Sequence, residues 1–111
     1  MMMMEDNMLR ELVQGILRVL PGQALRIVLY GSTARGTNSP ESDVDIAVFV
    51  RSRLDSAADE RLSDMIVDLN LKYDKVFSVI DIDEDVYQKW RRVTPFYQNV
   101  EKDGIVLWAA A

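Results

Sequence analysis

The sequence of 111 residues contains no cysteine and no histidine. Without cysteine, the chain has no disulfide, no thiolate nucleophile and no cysteine-bound zinc, and a reducing cytoplasm is the expected compartment. Without histidine, serine–histidine triads, imidazole acid–base catalysis and histidine-bound metals are excluded. Any chemistry therefore depends on carboxylates, hydroxyls, Lys, Arg and backbone amides, a donor set that suits oxygen-bound Mg²⁺.

Positive charge and long apolar runs are also scarce. The chain has 13 Lys and Arg against 18 Asp and Glu, and its net charge of -5 argues against general electrostatic binding of nucleic acid. No apolar run approaches the ~18 residues of a membrane span. Met1 to Met4 are not expected to form a signal peptide, because Glu5 and Asp6 follow at once. The length predicts a single domain over residues 1–111, with residues 1–5 disordered.

Apolar residues recur at helical spacing in some segments and form short β-branched runs in others. Asp6 or Asn7 is the predicted cap of the first helix, and Ser56 the predicted cap of a later one. Short helices that alternate with short strands predict an α+β (α/β) domain with a small mixed β-sheet flanked by helices. The predicted helices include 9–20, 33–37, 84–92 and 96–103 and a helix that contains 62–69, and the predicted strands are 25–30, 44–50, 76–82 and 105–108.

Two polar features flank the loop predicted over residues 38–42. Gly31 and Ser32 follow one strand, and Gly allows a tight turn whose backbone approaches a ligand closely. Asp43 and Asp45 open the next strand, where alternate residues share a face, so their carboxylates lie close enough to share a cation. Alone, each feature is explained as well by a serine-capped turn or by surface acids. Together they indicate a phosphate-binding turn that faces a metal site.

The spacing of these residues also resembles a known family. Gly31-Ser32, ten intervening residues and Asp43-x-Asp45 resemble the hallmark of the DNA polymerase β-like nucleotidyltransferase superfamily. The fuller string, with Ala-Arg-Gly after the Gly-Ser turn and Ser-Asp-Val-Asp-Ile at the strand, is similar to its minimal nucleotidyltransferase (MNT) branch. Residues 99–108 are similar to the C-terminal end of many such proteins.

The resemblance implies roles for individual residues. Asp43 and Asp45 would be catalytic and would bind two Mg²⁺ ions. Gly31 and Ser32 would bind the β- and γ-phosphates of the nucleotide. Arg35, one helical turn further on, would reach a phosphate or an acidic partner, unless it is simply solvated.

The family usually adds a third carboxylate from a neighbouring strand, as metal ligand and possible base. Asp81 is the predicted third ligand and catalytic residue, because it lies inside the third strand. Asp83 is the alternative, although it stands where the next helix begins and would serve there as a cap. If neither acid aligns with Asp43 and Asp45, the chain is expected to bind nucleotide poorly or to catalyse weakly.

The function implied is Mg²⁺-dependent transfer of AMP from ATP to a hydroxyl. A domain this small has little room for an acceptor pocket, so the acceptor or part of the site is expected to come from another chain. In the resembled family this partner is a HEPN protein toxin, which the MNT antitoxin silences by adenylylating a tyrosine in a hetero-oligomer. Two alternatives stay open. One is a binding module that neutralises its partner by occlusion. The other is a small-molecule transferase of the aminoglycoside-modifying kind that needs a partner chain.

Overall fold

A computed structural model describes residues 4–37 and 43–111, so the loop predicted over residues 38–42 lies outside the described residues. Within these two ranges, no helix is long and apolar enough to cross a bilayer. The elements in chain order are α1 (Met4–Val19), β1 (Ala24–Tyr30), α2 (Gly31–Arg35), β2 (Val44–Val50), α3 (Ser56–Tyr73), β3 (Phe77–Asp83), α4 (Glu84–Trp90), α5 (Pro95–Asp103) and β4 (Ile105–Ala109).

The four strands form one mixed sheet in the order β3-β2-β1-β4. β1 is antiparallel to both of its neighbours, β2 and β4, whereas β2 and β3 are parallel. The 18-residue helix α3 connects β2 to β3, and such a crossover is what a parallel pair requires. The end of β1, the start of β2 and the start of β3 therefore lie at the same edge of the sheet.

Helices cover both faces of this sheet. On one face, α1 and α3 pack on the side chains that alternate along β2 from Val44 to Val50. On the other face, Ala47 and Phe49 pack against Tyr87 of α4 and Val100 of α5. Residues that alternate along a strand point to opposite faces, so the apolar run of β2 fills two cores at once. The prediction of a small mixed sheet flanked by helices is confirmed.

Several predicted helix ends are wrong, although every predicted element is present. α1 begins at Met4, so residues 4 and 5 are helical rather than disordered, and Asp6 and Asn7 lie inside the helix rather than at its cap. Residues 1–3 lie outside the described residues. Asp55 caps α3, because its carboxylate accepts a hydrogen bond of 2.8 Å from the Ala58 amide. α2 begins at Gly31, directly at the end of β1.

We expect Leu12→Ala in α1 to lower the free energy of unfolding by about 2–5 kcal/mol, because a fully buried leucine leaves a cavity. Leu12 is 0% exposed, whereas Leu71 in α3 is 79% exposed. Leu71→Ala makes the same change of side chain in a helix and is expected to stay within ~0.5 kcal/mol of the wild type. Urea unfolding measures both, and equal losses would contradict this assignment of the core.

Candidate functional site

The two acids of the sequence motif lie at the edge of the sheet where β1 ends. Tyr30, the last residue of β1, pairs with Asp45 of β2, and Gly31 follows Tyr30 directly. Asp43 stands two residues before Asp45 and is exposed, whereas Asp45 is partly buried. Because alternate residues of an extended chain point the same way, the structure places both carboxylates on the face that α4 and α5 cover. The sequence predicts that Asp43 and Asp45 share one face.

Gly31 lies against the carboxylate of Asp45. A Cβ built on Gly31 would stand 2.4 Å from Asp45 Oδ2, and Gly31 has a φ of +76°. Both the space and the backbone conformation thus require glycine. Ser32 follows as the second residue of α2, and its carbonyl accepts a hydrogen bond of 3.0 Å from the Thr37 amide. The turn therefore holds its backbone in contact with one of the two acids.

Burial and neighbouring charges act on the ionisation of Asp45. Burial raises the pKa of Asp45, the charge of Asp43 raises it further, and the charge of Arg35 opposes both effects. The pKa of Tyr30 is also raised, first by burial and then by the charge of Asp45. Two carboxylates that repel each other, with only oxygen donors, fit a hard divalent cation. Asp43 and Asp45 are the residues that would hold it.

Arg35 connects this turn to the C-terminal helix. Its Nη1 donates a hydrogen bond of 2.8 Å to Asp103 Oδ2 at the end of α5, and the arginine side chain is 49% exposed. A cavity of about 430 Å³ opens between α2 and α5. This volume lies within the range of about 300–1,000 Å³ in which proteins bind small ligands. The cavity is lined by Tyr30, Gly31, Arg35, Phe96, Asn99, Lys102 and Asp103.

The contribution of α5 to this cavity is a feature that the sequence analysis missed. Phe96, Asn99 and Asp103 recur at helical spacing, which places them on one face of α5. Phe96 packs edge-on against Tyr30, with ring centroids 5.6 Å apart, and remains 39% exposed. The only signal in the sequence is this spacing, and the spacing alone does not tell which element the face meets.

Asp81 does not lie near the other two acids, so the prediction that it is the third ligand is wrong. It pairs with Val48, three positions beyond Asp45 along β2, which is about 10 Å of strand. It also points to the opposite face of the sheet, where it lines a groove with Phe77 and residues of α3. The physical reason is the direction of β3: because β3 is parallel to β2, its end lies far from the start of β2.

Asp83 is still further from the site and has the role of a cap. It pairs with Val50 at the other end of β2. Its carboxylate accepts hydrogen bonds from the amides of Asp85 and Val86, at 2.9 Å and 3.4 Å, in the first turn of α4. The predicted alternative role of Asp83, as a helix cap, is confirmed.

The residue of β3 that does lie beside Asp45 is Ser78. Among the described residues, no group of three or more acidic, histidine or cysteine side chains is arranged to hold a metal ion. Within the described residues, the two carboxylates of Asp43 and Asp45 are thus accompanied on β3 by the hydroxyl of Ser78.

Comparison with known proteins finds matches over most of the chain. A family model described as a nucleotidyltransferase domain matches residues 9–106. Two Methanocaldococcus jannaschii proteins carry names that place them among the protein adenylyltransferases. One is 31% identical over 109 residues, which cover 96% of this chain and 100% of the relative. The other is 30% identical over 99 residues, which cover 89% of this chain and 94% of the relative.

Two solved structures with the same fold come from toxin–antitoxin pairs. One is a toxin–antitoxin with AMP-PNP, with a TM-score of 0.62, 25% identity, and coverage of 90% of this chain and 73% of the other. The second is a complex of a tri-AMPylated Shewanella oneidensis HEPN toxin with its MNT antitoxin. It has a TM-score of 0.59, 23% identity, and coverage of 97% of this chain and 74% of the other.

Proposed function

Because the chain belongs to the nucleotidyltransferase domain family, we propose that it transfers AMP from ATP to a hydroxyl of a protein partner, with Mg²⁺ bound by Asp43 and Asp45. The observation that carries the proposal is the contact between Gly31 and Asp45. The missing Cβ of Gly31 leaves the Asp45 carboxylate against the backbone of the turn. A triphosphate on that turn would lie within reach of both acids.

Each residue of the site has a task in this reaction. The acceptor hydroxyl gives up its proton to solvent water as its oxygen bonds to the α-phosphorus. The bond from that phosphorus to the oxygen bridging the β-phosphate breaks, and pyrophosphate leaves. The backbone of Gly31 and Ser32 binds the β- and γ-phosphates, and Arg35 reaches them from the cavity wall. Asp43 and Asp45 hold the metal. When bound, the metal neutralises charge on the triphosphate and on the leaving pyrophosphate.

The partner proposed is a HEPN protein toxin whose tyrosine receives the AMP, so that the chain acts as a cytoplasmic antitoxin in a hetero-oligomer. The names of the two Methanocaldococcus jannaschii relatives support a protein acceptor. The Shewanella oneidensis complex, in which the HEPN toxin is tri-AMPylated, supports the class of partner. The cavity between α2 and α5 opens beside Gly31 and offers space for part of the nucleotide or acceptor.

The test is to incubate the purified chain with Mg²⁺ and the proposed HEPN partner, using ATP labelled either at its α-phosphate or at its γ-phosphate. Nucleotidyl transfer predicts that the partner acquires label from the α-phosphate only. Label from the γ-phosphate would identify a phosphoryl transfer instead. An unlabelled partner in both reactions would contradict the proposal.

The serine beside Asp45 favours a second candidate, neutralisation of the partner by occlusion with little catalysis. β3 supplies Ser78 at this position and not a carboxylate that could serve as base. Occlusion predicts that Asp43→Ala still protects cells from the toxin, since the fold and its surface remain. Transfer predicts that the same variant no longer protects, although it still binds the toxin in a pull-down.

A further inference from the structure

Ser78 belongs to a row of polar side chains that crosses three strands at the edge of the sheet. The register pairs Asp45 of β2 with Ser78 on one side and with Tyr30 of β1 on the other. Paired residues of neighbouring strands point to the same face and lie about 4.8 Å apart. Ser78 is partly exposed, so its hydroxyl is accessible at the same edge as the two acids.

Asp43, Asp45 and Ser78 together offer a divalent cation few oxygen donors and only two negative charges. Mg²⁺ takes about six oxygen ligands in near-octahedral geometry, and the charge of the ligands tunes its affinity. Two carboxylates and one neutral hydroxyl leave several positions to water or to the oxygens of a bound nucleotide. No third acid joins them among the residues that the structure describes.

We propose that Ser78 is a residue of the metal site, and that its neutral hydroxyl makes divalent-cation binding depend on the phosphates of the nucleotide. The chain alone then holds the cation weakly, and the triphosphate supplies the missing negative charge and oxygens. The inference rests on the proposed function only in that the same Asp43 and Asp45 hold the cation. It concerns the order of binding, which transfer activity alone does not report.

The experiment is a titration of Mn²⁺, with the free ion followed by its electron paramagnetic resonance signal. It is done with and without α,β-methylene-ATP, whose bond between the α- and β-phosphates cannot be cleaved by transfer. Once the Mn²⁺ that the analogue binds without protein is subtracted, wild type is expected to bind Mn²⁺ at least about tenfold more tightly with this analogue, because the analogue adds charged oxygens to the site. Ser78→Asp is expected to raise the affinity at least about tenfold in its absence, because the site gains a third carboxylate.

Ser52→Asp is the matched control, because it adds the same charge at an exposed position just beyond the far end of β2. It should leave Mn²⁺ affinity at the wild-type value. Ser78→Ala keeps the fold without the hydroxyl and should weaken binding in the presence of the analogue, which tests the proposal even if Ser78→Asp does not fold. The proposal is overturned if folded Ser78→Asp binds Mn²⁺ as wild type does. It is equally overturned if the analogue leaves wild-type affinity unchanged or if Ser78→Ala has no effect.

The result separates this inference from the proposed function. Mn²⁺ binding that depends on the analogue and on Ser78, with no label on the partner, would retain the metal site and reject AMP transfer. Label on the partner, with Mn²⁺ affinity indifferent to residue 78, would retain transfer and reject the role of Ser78.

Discussion

Replacing Asp45 by asparagine is expected to reduce AMP transfer at least a thousandfold, about 4 kcal/mol of transition-state stabilisation. Asparagine has nearly the same shape, so the contact with Gly31 remains while the charge that holds the metal is lost. The fold should become slightly more stable at neutral pH. Burial and the charge of Asp43 raise the pKa of Asp45, and an acid whose folded pKa is raised lowers stability as the pH rises through its titration.

Rates of label transfer and thermal melting curves measure the two effects together. Asp64→Asn, on the exposed side of α3, is the matched control and should change neither quantity. A loss of activity with a gain in stability is the signature of a residue kept for function. An Asp45→Asn protein that still transfers AMP at the wild-type rate would remove Asp45 from the site.

Replacing Gly31 by alanine is expected to reduce the rate of transfer at least about a hundredfold, because moving a catalytic group by ~1 Å has an effect of this size. The new Cβ would stand 2.4 Å from Asp45 Oδ2, so the carboxylate must move. The positive φ of +76° adds strain, which costs roughly 1–2 kcal/mol in stability.

Gly36 provides the control that separates the effect of backbone strain from that of moving the Asp45 carboxylate. It has the same φ of +76°, but none of the described residues lies within 4 Å of a Cβ built on it. Gly36→Ala should therefore lose the same roughly 1–2 kcal/mol of stability and keep its transfer activity. If the two variants lose activity equally, backbone strain explains the effect and the contact between Gly31 and Asp45 does not matter.

The sequence was sufficient to predict the strand that carries the acids. β2 spans Val44–Val50, the same range as predicted, because its β-branched run has no competing helical spacing. The two-residue period of a strand then placed Asp43 and Asp45 on one face without any knowledge of the neighbours. Predictions of this kind succeed because they depend only on local geometry.

The prediction for Asp81 was wrong because it depended on the relative direction of β2 and β3, which local geometry does not determine. Acids at the end of β3 would meet the start of β2 only if the two strands were antiparallel. The helix α3 between them makes a parallel crossover, which brings the start of β3, and with it Ser78, to the start of β2. The register therefore had to be known before a ligand could be chosen.

The α5 side of the site depends on contacts that are distant in sequence. Arg35 and Asp103 are separated by 68 positions and meet at 2.8 Å. Nothing in the local pattern of either residue indicates this partner. Side chains that line a cavity between two helices are fixed by the packing of those helices on the sheet, so they become visible only in the folded structure.

The most direct test of the account is transfer of label from the α-phosphate of ATP to the partner by wild type, Asp43→Ala and Asp81→Ala, assayed side by side. The structure places Asp43 at the edge of the sheet with Asp45 and Gly31, and Asp81 on the opposite face. We expect Asp81→Ala to label the partner at the wild-type rate and Asp43→Ala to give no label. Transfer that survives in Asp43→Ala, or that is lost in Asp81→Ala, would contradict the account.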